Sequence, residues 1–126
     1  MKYIKTYEVM TELPFCGTTL EADIEKLKSL LNNPEIVKVI EVKLGGYENL
    51  EEVAITSIFG KNYEITASDY PQEPGLIIDE FPIDNCSEQG YSDGFMSTIE
   101  EVAKLLNDID SAGGIDSYLD TEKYNL

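Results

Sequence analysis

The chain reads as an α+β protein, an antiparallel sheet of four to five strands with two main helices packed on it, in a single domain over residues 1–126. Three observations predict this. Short runs rich in β-branched and aromatic residues, set off by Gly and Pro, recur from Lys2 to Ile78. Two other stretches place apolar residues at helical spacing, each behind a hydroxyl residue followed three positions later by Glu. The order strand, helix, several strands, helix is that of helices segregated to a sheet face, and 42% hydrophobic residues in 126 suffice for one core.

Lys2 to Met10 is expected as the first strand, with Tyr3, Lys5, Tyr7 and Val9 on one face and Ile4, Thr6 and Met10 on the other. Leu13-Pro14-Phe15-Cys16-Gly17 breaks that pattern. Thr18 and Glu21 then have capping-box spacing, which predicts a helix from about Thr19 to Asn32 on the stripe Leu20, Ile24, Leu27 and Leu31, ended by Asn32-Asn33-Pro34. Glu35 to Leu44, dense in Val and Ile and closed by Gly45-Gly46, is expected as a second strand. Val53 to Phe59 and Asn62 to Ala67 read as a hairpin joined across Gly60-Lys61. Leu76-Ile77-Ile78 reads as a short buried strand running out into Asp79 and Glu80, after Pro71, Pro74 and Gly75.

Phe81 to Phe95 reads as a long loop carrying Asp84, Glu88, Tyr91 and Asp93. Ser97 and Glu100 repeat the capping-box spacing, and a second helix is expected from Thr98 to about Asp108. Its apolar face is Ile99, Val102, Ala103, Leu106 and Ile109, opposite Glu100, Glu101, Lys104 and Asp108. Gly113-Gly114 halts it. Residues 111–126 are expected as an acidic tail, with Tyr118, Leu119 and Tyr124 placed to dock it or to touch a partner.

Charge is distributed unevenly along the chain. Residues 62–126 hold fifteen carboxylates against Lys104 and Lys123, a balance of −13, while residues 1–61 hold ten against seven lysines, a balance of −3, which together give −16. Self-repulsion of this kind adds nothing to stability, so it points to a surface kept for a basic partner. The alternative is a merely solubilising surface, which should touch both halves alike. Nucleic acid and anionic lipid are excluded as direct partners by the same charge. No apolar run reaches the roughly 18 to 20 residues of a spanning helix. The start, Met1-Lys2-Tyr3-Ile4-Lys5, lacks a signal peptide's apolar region, so a cytoplasmic location is expected.

The chain has no His, Arg or Trp, so imidazole-based triads and dyads and guanidinium clamps on phosphate are excluded. Cys16 and Cys86 stand far apart, outside any Cys-x-x-Cys pair, and read as reduced thiols. A partial calcium-loop pattern starts at Asp108, with Asp110, Gly113, Ile115 and Asp116 in their places. Ala112 and Leu119 stand where two ligands are needed, so a helix end with a Gly-Gly turn accounts for it. Adjacent acids such as Asp79 with Glu80 or Glu51 with Glu52 suit acid–base work, but among 25 acids such pairs arise by chance. No enzyme, metal or cofactor is expected.

The remaining candidate is the acidic surface: Asp79, Glu80, Asp84, Glu88, Asp93, Glu100, Glu101, Asp108 and Asp110, with Tyr91 as an aromatic contact and Asp116, Asp120 and Glu122 beyond. Carboxylates two apart on a strand lie about 6 to 7 Å apart, and those three or four apart on a helix about 5 to 6 Å. A duplex carries one phosphate per roughly 3.4 Å of each strand, so such rows approximate its charge density. Tyr70, Tyr91, Tyr118, Tyr124, Phe81 and Phe95 fall in the same half; about half of them are expected to be core, and the rest suit the centre of an interface steered by charge.

A small, acidic, arginine-free α+β chain resembles the inhibitors that phages and mobile elements deploy against CRISPR and restriction nucleases. More narrowly, Leu76 to Asp84 followed by Ser97-Thr98-Ile99-Glu100-Glu101-Val102-Ala103-Lys104-Leu105-Leu106 is similar to a segment of the DNA-mimicking antirestriction proteins, in which a strand ending in acids precedes a serine-capped helix. The similarity covers about thirty residues, in a chain shorter than that family's multi-domain members. It implies occupation of a basic nucleic-acid channel of a defence nuclease, anti-CRISPR ahead of antirestriction because of the small size. An immunity protein against a basic toxin nuclease has nearly the same physical logic, and an acidic calcium-binding or structural module is the third alternative.

Overall fold

The computed structural model describes residues 19–45, 51–68, 73–86 and 93–124. The expected first strand, Lys2 to Met10, lies outside them. Helix α1 (Leu20–Ser29) starts one residue later than its capping box suggested: the extended Thr19 is the cap, its Oγ1 accepting from the Ala22 N–H at 3.0 Å. Acids Glu21 and Asp23 in its first turn and Lys26 and Lys28 in its last suit the helix dipole. Leu20, Ile24 and Leu27 are buried, as their spacing requires.

Asn33 and Pro34 open a single 3₁₀ turn, Pro34–Ile36, in place of the start of the expected second strand. Strand β1 (Val37–Gly45) follows and pairs antiparallel with β2 (Glu51–Ile58), with a bulge between Val39 and Glu41. The hairpin to β3 (Lys61–Ser68) turns on Phe59 and Gly60, at φ 52° and 84°, and not on Gly60-Lys61. Two successive positive φ values make a tight turn whose twist matches the strands it joins, and glycine accepts the second without strain. Strand β4 (Gly75–Asp79) and strand β5 (Gly94–Thr98) complete a five-stranded antiparallel sheet in the order β1-β2-β3-β4-β5.

Strand β5 takes only the last two residues of the expected loop, Gly94 and Phe95, together with the stretch from there to the expected helix start at Thr98. Its Gly and Ser content conceals it, and it exists because long-range partners satisfy its backbone: Phe95 and Ser97 pair with Ile78 and Leu76 on one side, and the Asn85 side chain bonds the Met96 N–H and C=O on the other, at 2.7 and 2.9 Å. Thr98 ends β5 and also caps helix α2 (Ile99–Ala112), its Oγ1 accepting from the Glu101 N–H at 3.3 Å. The cap is thus Thr98, not Ser97. Gly113 stops α2 at φ 101°, and the Gly114 N–H closes the end on the Ile109 carbonyl.

The expected acidic tail is instead a third helix, α3 (Ile115–Tyr124), whose Ile115 and Tyr118 pack against the core. That core joins α1 and α2 to the sheet face bearing Val37, Ala54, Ile58, Ile65, Leu76 and Ile78. Asn107 ties α2 to the end of α1, accepting from the Asn32 N–H at 2.9 Å and donating to the Leu30 carbonyl at 3.1 Å. Among the described residues no helix is long and apolar enough to cross a membrane.

Candidate functional site

The predicted acidic residues fall into two groups at opposite ends of β5. Strand β4 runs out into Asp79 and Glu80, both exposed. Asp79 pairs with Gly94, and the Glu80 N–H donates to the Asp93 carbonyl at 3.0 Å, so Asp93 lies beside both. Gly94 is the residue that lets the strands meet here: at φ 146°, a Cβ on it would stand 2.5 Å from the Ile78 carbonyl oxygen. Exposed Asp84 completes the group, its carboxylate accepting from the Cys86 N–H at 3.0 Å. The register that pairs Ile65 with Ile78 also brings exposed Glu64 next to Asp79, on the sheet face opposite the helices. Glu88 and Tyr91 lie outside the described residues.

Glu64, Asp79 and Glu80, with Ile55, Asn62 and Tyr63, line a shallow depression of about 360 Å³. Buried Cys86 reports the local field. Burial first, then the charges of Asp84, Asp79 and Asp93, push its thiol pKa up, which keeps it protonated and unreactive. Glu80 holds a left-handed backbone at φ 56°, a conformation that costs a residue with a Cβ about 1 kcal/mol or more. Among the described residues, no lysine is within ion-pair distance of Glu64, Asp79, Glu80, Asp84 or Asp93.

The second group lies on α2 and α3. Four residues of β5, about 13 Å, separate the start of α2 from Gly94. Here lysines intervene. Glu100 pairs with Lys26 of α1 at 3.1 Å, and Asp108 with Lys104 at 2.9 Å. The Glu100 carboxyl is held below its ordinary range, first by its own backbone N–H and then by Lys26. Glu101 and Asp110 are exposed, as are Asp116 and Asp120 on α3. The helix row is thus interrupted by its counter-charges, and the sheet-end group is not.

Part of the aromatic set is core, as expected. Phe81 is buried, edge-on to Tyr63 with centroids 5.1 Å apart, while Phe95 and Tyr118 pack on the core. Tyr70 lies outside the described residues. The partial calcium pattern is also explained structurally, since Asp108, Asp110 and Ala112 are helical and Asp108 is bonded to Lys104. No cluster of three or more His, Cys, Asp or Glu side chains that would hold a metal ion occurs among the described residues.

Sequence inspection missed Glu64, Asn62 and Ile55. Their alternation with the buried faces of β2 and β3 was legible, but which residues of β4 stand beside them depends on register. Comparison of the chain with protein-family models, with curated proteins and with solved structures gives no match.

Proposed function

We propose that the protein is an inhibitory binding protein that occupies a lysine- and arginine-rich nucleic-acid channel of a bacterial defence nuclease, a CRISPR effector ahead of a restriction enzyme. The contact surface is the sheet-end group of Asp79, Glu80, Asp84 and Asp93, extended by Glu64. A single observation carries the proposal: five like charges converge at one sheet end without a described counter-ion, beside a strained Glu80 backbone. Repulsion and strain both oppose folding, and a site that keeps both is a candidate for function.

The mechanism is competitive charge mimicry, in which the carboxylates take the place of phosphates on basic side chains and association is fast and salt-sensitive. It needs no catalysis and no cofactor. The setting is a phage or mobile element countering a cytoplasmic nuclease.

The test is displacement of labelled nucleic acid from a panel of purified CRISPR effectors and restriction nucleases, at low salt and at about 0.5 M, where the Debye length is only a few ångströms. We expect displacement at low salt, lost in the variant combining Asp79→Lys, Glu80→Lys and Asp93→Lys. Equal inhibition by that folded variant would remove the sheet end as the contact surface. A variant with Glu100→Lys and Glu101→Lys probes α2 separately, and failure to displace from every nuclease at low salt would sink the reading as a whole.

A further inference from the structure

Strand β1 is the end strand of the sheet, and no described residue pairs with its outer side. It is nine residues long, and its side chains at Val39, Ile40 and Leu44 are 41%, 57% and 66% exposed. A long apolar edge of this kind is a template for another strand unless something blocks it. The strand carries Lys38 and Lys43 against Glu41, a balance of +1 in a chain of −16, so repulsion between copies is weakest here.

Backbone phase shows which groups are on offer. In a two-residue hairpin the flanking residues, here Ile58 and Lys61, form a hydrogen-bonded pair, and the direction of backbone groups then alternates along β2. Ile55 and Val53 therefore turn their N–H and C=O toward β1, onto Glu41 and Lys43. Val42 and Leu44 turn theirs away, to the free edge.

We infer that the protein self-associates through this edge, β1 of one copy pairing antiparallel with β1 of another about a two-fold axis at Val42. In that register Val42 exchanges two backbone hydrogen bonds with its symmetry mate. Leu44 comes beside Ile40 of the other copy, and Glu41 stands opposite Lys43 twice. Neighbouring registers are selected against by charge. An axis at Glu41 sets Glu41 on Glu41, and one at Lys43 sets Lys43 on Lys43, each a like-charge pair directly across strands. The acidic sheet end lies on β3, β4 and β5, away from this edge, so the dimer is a ten-stranded sheet with one acidic cluster on each half. Seven strand spacings, at most about 34 Å, separate the two β4 strands.

Sedimentation of the full chain from about 1 µM to about 500 µM spans the range of a small, weak interface. Moderate salt, about 0.2 M, screens the net charge. The parent is expected to dimerise as concentration rises. Glu41→Lys should weaken the dimer by at least about tenfold, even though it lowers net charge and general repulsion. Combining Glu41→Lys with Lys43→Glu, at the parent's net charge, should restore it. Both positions are exposed, so folding should be unaffected.

Hydrogen exchange at the Val42 and Leu44 amides should slow with concentration in the parent alone and in the restored pair. A chain that stays monomeric throughout overturns the inference, and slow Val42 and Leu44 exchange in that monomer would mean that another segment of the same chain covers the edge. A dimer indifferent to Glu41→Lys, or not restored by the exchange of charges, overturns it equally.

Discussion

Removing the Asn107 side chain tests how the helical layer is held. Its amide makes two bonds across 75 and 77 residues of sequence, accepting from the Asn32 N–H and donating to the Leu30 carbonyl at the end of α1. A hydrogen bond contributes roughly 0.5–1.5 kcal/mol net, and Leu30 and Asn32 are exposed enough for water to replace the lost partner. Asn107→Ala should therefore destabilise by about 1–2 kcal/mol, without the added penalty of a buried unpaired group. For a chain of this size that corresponds to a fall in Tm of about 4–8 °C. The assay is equilibrium urea unfolding, in which the midpoint should fall with the slope unchanged. Asn107→Asp sharpens the test, because it keeps the acceptor for Asn32 but replaces the donor with a negative charge facing a helix C-terminal carbonyl, where anions are disfavoured. It should be no more stable at neutral pH than Asn107→Ala. A loss below about 0.5 kcal/mol in the alanine variant, or parental stability in the aspartate variant, would refute the assignment of stability to these bonds.

The geometry sets three further outcomes. Glu80→Gly relieves both a left-handed backbone and a repelling carboxylate, so thermal unfolding should rise in temperature, and on the proposed function displacement of nucleic acid should weaken; a destabilised variant would contradict the strain argument. Gly60→Ala meets open space and should cost only about 1–2 kcal/mol for its positive φ, whereas Gly94→Ala drives a Cβ to 2.5 Å from the Ile78 carbonyl and should cost clearly more; equal losses by calorimetry would refute the close approach. The lowered Glu100 carboxyl adds stability that is present above its ordinary value of 4.5 and is lost as pH falls through the lowered value. Glu100→Gln should accordingly be less stable than the parent at neutral pH, with the gap closing on acidification and in high salt; a gap that widened toward low pH would reverse the sign assigned to this group.

Local chemistry was legible where it is self-contained. The stripe of Leu20, Ile24 and Leu27 and the face of Ile99, Val102, Leu106 and Ile109 are helical periods that any amphipathic helix must bury, and they are buried. Caps were legible only to within one residue. Thr18 stands beside Thr19 and Ser97 beside Thr98, adjacent hydroxyls compete for the same role, and packing of the apolar stripe decides between them. The hairpin between β2 and β3 was legible for the same reason as the helices, because Gly60 marks a turn that backbone sterics nearly dictate.

The charge imbalance and the absence of His and Arg are also properties of the sequence alone, and they fix what chemistry the chain excludes. The grouping of carboxylates is not. Strand β5 forms because Ile78 and Leu76 pair with Phe95 and Ser97 on one side and Asn85 satisfies the Met96 backbone on the other, partners 17, 21 and 11 residues away, and no local pattern encodes them. Residues 111–124 form the end of α2 and all of α3, where composition alone suggested a tail, because Ile115 and Tyr118 find a core to cover. Lys26 reaches Glu100 only across the α1–α2 contact, which removes that acid from the unpaired set. Glu64 joins Asp79 only through the register of β3 on β4. Sequence determined the elements and the sign of the surface, since these follow from periodicity and count; tertiary structure decided which charges converge, since that depends on contacts between segments far apart in the chain.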